Sequence, residues 1–244
     1  MHLTLGILRT SQAFLHALSF FWLDGFAVPT PAQVTQPVGQ PLAKVFRFNL
    51  NSRRNNLKKI NLQMQISVDG FVQYGKNDEQ KWVTWAWDEI KQYVLDLSDT
   101  TDTILLGRKL AIDYIPYWQD TFAKPNEPMY EVAKRVVSAK KVVFTKTLDK
   151  SVWENTELAK GNLIDEVNKL KSQSGKDIIV YGGSSFVSEL IKAELIDEFH
   201  LFFNPVALGK GTPIFDKLGN YQQLKLNKTI VYDCGIVLMN YKLK

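Results

Sequence analysis

The chain has 244 residues, 45% of them hydrophobic and 23% charged, which suits a soluble globular protein with room for one large domain. A single cysteine, Cys234, excludes an intrachain disulfide and a cysteine-rich zinc site, and the histidines His2, His16 and His200 are too scattered for a multi-histidine metal centre. The net charge of +5 is carried almost wholly by residues 1–57, where Arg9, Lys44, Arg47, Arg53 and Arg54 face only Asp24. The remaining 187 residues are nearly neutral, so a nucleic-acid partner is not expected.

Residues 1–57 differ from the rest. They hold four of nine prolines and four of six arginines, no tyrosine, and one of twenty-four lysines, which marks a boundary near residue 57. Ala13–Val28 is apolar but is interrupted by His16 and Asp24 and is short for a membrane span. With Arg9 before it and Ala32 after it, the segment has the outline of an export signal. The other reading is a leader of no fixed structure or an artefact of start-site assignment, with Leu57 as the natural start. We take the second reading. Residues 1–56 are then dispensable and the protein is cytoplasmic, with no membrane partner.

From Lys58 the pattern is regular. Ile60, Leu62, Met64, Ile66 and Val68 alternate with polar residues and predict a first strand, closed by Ser67–Val68–Asp69–Gly70. Residues 71–84 read as a polar loop and 85–97 as an amphipathic helix. A short strand over 103–106 leads to a helix from Arg108 to about Tyr114. A helix over 131–138, a strand over 141–145 and a helix over 163–172 follow. Lys176–Tyr181 read as a buried strand, Gly182–Gly183 as a turn, and 184–191 as a helix. A strand over 199–206 and a hairpin of 225–231 with 236–243 complete the chain. The alternation predicts an α/β fold with a mostly parallel sheet and an antiparallel edge.

The turn Gly182–Gly183 is the strongest chemical signal. A strand, two glycines and a helix start allow the backbone to approach an anion, with the free N–H groups and positive dipole end of the helix aimed at it. The glycine pair alone also serves merely to close a loop. Gly107–Arg108 and Thr145–Lys146–Thr147 end two other strands in similar style. Arg108 either clamps a phosphate or is a solvated first-turn residue. A cation at a helix N-terminus opposes the dipole, which favours the phosphate. Lys146 reads equally as a phosphate contact and as surface. His200, alone in an apolar strand, reads as a hydrogen-bonded core residue.

In order along the chain, Ser67–Val68–Asp69–Gly70, Gly107–Arg108, Val142–Val143–Phe144–Thr145 with Thr147–Leu148, Gly182–Gly183, Asp197–Glu198 and Pro205–Val206–Ala207–Leu208–Gly209–Lys210–Gly211 resemble the dihydrofolate reductase-like superfamily. Within it, residues 58–244 are most similar to the branch containing the pyrimidine-reductase domain of riboflavin biosynthesis, the RibD C-terminal family. The resemblance implies a dihydrofolate reductase-like α/β fold, with helices on both faces of the sheet and an antiparallel C-terminal hairpin. It also implies an NADPH-dependent reductase acting on a small heterocyclic substrate, with a homodimer as the expected assembly. Cofactor contacts fall on Gly107, Arg108, Thr145, Lys146, Gly182, Gly183 and Ser184. Asp69 and Asp88 are the candidate catalytic acids, and Trp85 and Trp87 the candidate substrate contacts. Each has a plainer reading: Asp69 as a turn residue with Gly70, Asp88 and Glu89 as helix-start acids, the tryptophans as packing. The folate-type pattern around the helix carboxylate is absent, which argues against folate itself. The alternatives are the riboflavin-pathway reductase of a ribosylamino-pyrimidine and a nucleotide-binding module without catalysis.

Overall fold

The computed structural model describes residues 57–75 and 80–244; the leader expectation for residues 1–56 lies outside them. The first strand, β1 (Ile60–Ser67), shows why the sheet is organised as it is. Its even-numbered side chains Ile60, Leu62, Met64 and Ile66 are buried in one hydrophobic core. Its other face carries Asn61, Gln63, Gln65 and Ser67, an unusual polar stripe for a central parallel strand. β2 (Phe71–Gln73) follows, then α1 (Trp87–Asp99), β3 (Thr101–Gly107), α2 (Arg108–Phe122), α3 (Tyr130–Ser138), β4 (Lys140–Phe144) and β5 (Thr156–Ala159). After them come α4 (Leu163–Lys171), β6 (Asp177–Val180), α5 (Ser184–Lys192), β7 (Glu198–Asn204), β8 (Thr212–Pro213), β9 (Leu224–Val231) and β10 (Val237–Leu243).

Eight strands form one sheet in the order β5-β4-β3-β6-β1-β7-β10-β9. The six from β5 to β7 are parallel, and β10 runs antiparallel to both of its neighbours. Helices cover both faces. α4 and α5 pack on the side of Ile60, Leu62 and Val180 through Val167, Leu170, Val187, Leu190 and Ile191. α1, α2 and α3 pack on the side of Ile104, Leu106, Val143 and Ile179 through Ile90, Val94, Ala111, Ile115, Val132 and Val136. No described helix is long and apolar enough to cross a membrane.

Three elements depart from the sequence reading. The segment after Gly70 is not all loop: Phe71–Gln73 pairs with Thr212–Pro213 in a small second sheet. The strand β5 has no alternation to announce it, and is placed by parallel pairing with β4, Phe144 opposite Ala159. α2 continues through Pro116 to Phe122, well beyond Tyr114. Proline removes one intrahelical bond, and the burial of Ala111, Ile115 and Thr121 holds the helix together across it.

Candidate functional site

Chain direction sets where a ligand can sit. From β3 the chain crosses through α2 and α3 to β4, on one side. From the adjacent β6 it crosses through α5 to β7, on the other. The carboxyl ends of β3 and β6 are therefore the switch point of the sheet, where α/β proteins open a crevice. Two helices on opposite faces begin there, α2 after Gly107 and α5 after Gly183.

These two helix starts are built alike and unlike the others. Both have glycine at the N-cap, no side-chain cap and no acidic residue in the first turn. By contrast, α4 is capped by the Asn162 side chain, which accepts from the N–H groups of Ile164 and Asp165, and α1, α3 and α4 all carry first-turn acids. Phe186 N–H is taken by the Gly183 carbonyl, but no side chain caps either helix start, so the Ser184 and Ser185 N–H groups of α5 and the first-turn N–H groups of α2 can serve an outside acceptor, and neither first turn carries an acid. Gly182 (φ +143°) and Gly183 (φ +34°) adopt backbone conformations that favour glycine. The nearest atoms to a Cβ built on either belong to Leu110 of α2, so the two turns face each other. Arg108 is half-buried at the head of α2, and Ser184 half-buried at the head of α5.

Next along the sheet edge, Thr145 follows β4. Its hydroxyl is buried and accepts from the N–H groups of Thr147 and Leu148, both at 3.1 Å, while its own N–H donates to Ala159. Thr145 therefore shapes the turn that presents Lys146, which is exposed. Gly107 lies opposite Phe144 in the sheet, and the Phe144 and Phe186 rings pack 4.9 Å apart beside it. The candidate cofactor residues Gly107, Arg108, Thr145, Lys146, Gly182, Gly183 and Ser184 thus fall at the ends of three neighbouring strands.

The other candidates lie elsewhere along the same edge. Asp69 is exposed just beyond β1 and accepts from the Ser67 hydroxyl at 2.6 Å and from the backbone N–H groups of Leu208 and Gly209. These donors, led by Ser67, lower its carboxyl to about 2. Asp88 is exposed in the first turn of α1, and Glu89 accepts from the Cys234 N–H at 3.0 Å. Trp85 is 57% exposed. Trp87 packs on the core under α1, α2 and α3 and donates its indole N–H to the Pro128 carbonyl at 3.0 Å. It holds α1 against the segment before α3.

Sequence reasoning missed Asn204. Wholly buried at the end of β7, its side chain accepts from the Thr84 N–H at 2.7 Å and donates to the Gln65 side-chain Oε1 at 2.9 Å. It ties the segment before α1 to both central strands. The sequence signal was an asparagine closing the apolar run Phe199–Phe203. On the same face Gln63 keeps a buried side-chain oxygen without a partner. His200 is buried beside it in register, with its Nδ1 2.6 Å from the Tyr93 hydroxyl. Burial lowers His200 to about 4 and raises Tyr93 to about 12, so the neutral phenol donates to a neutral imidazole. This is the core histidine that the sequence suggested.

A cavity of about 250 Å³ opens at the opposite edge of the sheet, between the ends of α1 and α3. Its charges already have partners: Arg135 grips the Asp99 carboxylate through two bonds, Asp102 pairs with Lys58, and Lys176 donates to the Asp99 backbone carbonyl. The carboxyl edge, with its uncapped helix starts, is the better ligand site.

A mostly parallel sheet with this order, two faces of helices and an antiparallel C-terminal strand pair is the dihydrofolate reductase-like architecture. Residues 58–238 match the RibD C-terminal domain model, and the chain belongs to that family. It is 37% identical over 192 residues to the uncharacterized protein YyaP of Bacillus subtilis, covering 77% of this chain and 97% of that protein. It is 27% identical over 173 residues to the uncharacterized protein YwjB of the same organism, covering 70% and 91%. Among solved structures it resembles the diaminohydroxyphosphoribosylaminopyrimidine deaminase/5-amino-6-(5-phosphoribosylamino)uracil reductase of Thermotoga maritima, with a TM-score of 0.58 and 16% identity over 81% of this chain and 60% of that one. RibD of Acinetobacter baumannii gives a TM-score of 0.55 and 18% identity over 83% and 62%. At these identities the two structures speak for the fold.

Proposed function

We propose that this protein is an NADPH-dependent reductase of a small heterocyclic substrate. The observation that carries the reading is the pair of glycine-capped, acid-free helix starts facing each other at the β3/β6 switch point, with Arg108 at one of them. A dinucleotide pyrophosphate needs such a cradle: backbone N–H donors, close backbone approach and positive charge. Gly107, Arg108, Gly182, Gly183 and Ser184 would hold the pyrophosphate. Lys146, presented by Thr145, would meet the 2′-phosphate that distinguishes NADPH from NADH. The cofactor supplies the hydride; the chain supplies orientation and an enclosed surface.

The substrate end falls toward β1 and β7. Trp85 offers an exposed aromatic face there, while Trp87 frames the segment from beneath α1. Asp88 is the carboxylate of this region that accepts no hydrogen bond from a described residue, and it is the candidate proton source. Membership of the RibD C-terminal family makes 5-amino-6-(5-phosphoribosylamino)uracil the first substrate to try. Cytoplasmic location and a homodimer complete the reading.

Quenching of tryptophan fluorescence by NADPH and by NADH tests the cofactor, and NADPH oxidation with that pyrimidine tests the chemistry. Tighter binding of NADPH is expected. Absence of binding by either nucleotide would remove the reductase reading. Light scattering on the purified full chain tests the dimer.

A further inference from the structure

We propose that Asp69 is a positioning residue, whose carboxylate clamps the loop between β7 and β8 onto the end of β1, and that it is not the proton donor of the site. Its role in turnover rests on the reductase reading; the clamp itself does not.

Every hydrogen bond the structure gives the Asp69 side chain comes from a donor. Ser67 is wholly buried, and its hydroxyl oxygen accepts from the Phe71 N–H at 2.9 Å, which leaves its proton for Asp69 at 2.6 Å. Leu208 N–H is 3.1 and 3.0 Å from the two carboxylate oxygens, and Gly209 N–H is 2.6 Å from one of them. Such a set is satisfied by an ionised carboxylate, and a protonated one would turn a donor toward donors. The lowered ionisation of Asp69 agrees with this geometry.

The loop it holds has little else to fix its middle. Its start is pinned where Val68 N–H donates to the Val206 carbonyl at 3.0 Å. Its end is pinned where Thr212–Pro213 pairs with Phe71–Gln73. Between them, Ala207, Gly209, Lys210 and Gly211 are exposed, and Gly209 has φ +70°. Beyond the clamp, the Lys210 ammonium lies 5.5 Å from the centre of the Tyr74 ring. Two glycines and no regular structure leave this stretch free to open unless its N–H groups are held. It stands at the carboxyl ends of β1 and β7, beside the β6 turn. It therefore walls the side of the edge toward which a dinucleotide held at β3 and β6 would extend.

Lys210 provides the readout, because trypsin cuts after an exposed lysine only where the backbone can open. Asp69→Asn keeps the shape but removes the charge and replaces one of the two acceptor oxygens by an N–H₂ donor, which faces either the Ser67 hydroxyl or the Gly209 N–H. Asp69→Ala removes the acceptor altogether. In full-length protein under limited trypsin, with products identified by mass, both variants are expected to be cut after Lys210 at least about tenfold faster than the native chain, the loss of charge-assisted hydrogen bonds setting that scale. Circular dichroism verifies that they are folded; if Asp69→Ala does not fold, Asp69→Asn carries the test. NADPH oxidation should slow in Asp69→Asn with the shape of its pH profile kept. Unchanged cleavage after Lys210 in the folded variants would overturn the clamp, as would a lost acid limb in the pH profile without faster cleavage. If the native chain oxidises no NADPH, the reductase reading fails and the cleavage comparison alone decides the clamp.

Discussion

A Cβ built on Gly107 lies 3.0 Å from the Cβ of Phe186, so the end of β3 and the first turn of α5 meet with no space for a side chain. This contact sets the spacing of the two helix starts that define the candidate site. Gly107→Val therefore forces α5 away from β3. Overpacking of this kind costs about 1–3 kcal/mol. The variant should melt earlier in a thermal scan and lose NADPH binding beyond what its lower stability explains. Native-like nucleotide affinity in the folded variant would separate the contact from the site.

Gly183 makes a different case. Nothing lies closer than 3.9 Å to a Cβ built there, so the protein has space for one. The cost in the free protein is conformational, because φ +34° is strained for a branched residue, on the order of 1–3 kcal/mol. Gly183→Val should stay folded. The added carbons would occupy the space an anion needs, and NADPH affinity should fall at least about tenfold through the lost backbone contacts. Unchanged affinity in fluorescence titration would make Gly182–Gly183 an ordinary turn.

The parts of this architecture written in local pattern were legible in the sequence. The alternation from Ile60 to Ile66, the helix stripe Leu163, Val167, Leu170 and the turn at Gly182–Gly183 are local signals, and each element stands close to where they put it. β5 and the β2–β8 pair were not legible, since each is made by a partner distant in sequence. The site was legible in the same uneven way. Glycines after strands reveal a backbone cradle, but no spacing reveals that Asp69 reaches across to Gly209 or that Asn204 reaches Thr84. Nor does sequence show that Glu89 is engaged by Cys234 while its neighbour Asp88 is not. Asp197, a member of the sequence pattern, proves to hold the start of β1 by accepting from the Ile60 N–H and from Lys171.

The turn after β4 separates shape from charge. Thr145→Val removes the acceptor for the Thr147 and Leu148 N–H groups at nearly constant volume, and should cost about 0.5–1.5 kcal/mol, since water can reach these donors on the turn. Lys146→Ala leaves the turn intact and removes the exposed charge. On the proposed reading, Lys146→Ala lowers affinity for NADPH and not for NADH, whereas Thr145→Val lowers both stability and cofactor preference. Parallel titrations with the two nucleotides, alongside chemical denaturation, read each effect. Equal loss for NADPH and NADH in Lys146→Ala would move the 2′-phosphate contact elsewhere.

His200 links stability to acid. Its folded value of about 4 lies below the ordinary histidine value of 6.5, chiefly because burial penalises the charged ring; Glu198 opposes this and Lys242 adds to it. Tyr93 faces the ring from α1, with the Lys228 ammonium 5.5 Å from the centre of the Tyr93 ring. The folded state binds fewer protons than the unfolded one between those two values, so stability is full above about pH 6.5 and falls as the pH drops through about 4. The size of the shift corresponds to a loss on the order of 3 kcal/mol. The lowered carboxylates Asp69, Asp99, Asp102, Glu189 and Glu198 add their own loss only below about pH 4.5, so the upper half of the window isolates the histidine. Urea denaturation of the native chain at pH 7, 6 and 5 should show falling stability, and His200→Gln should flatten the dependence while lowering stability at pH 7. A slope that persists unchanged in His200→Gln would place the acid sensitivity in other groups.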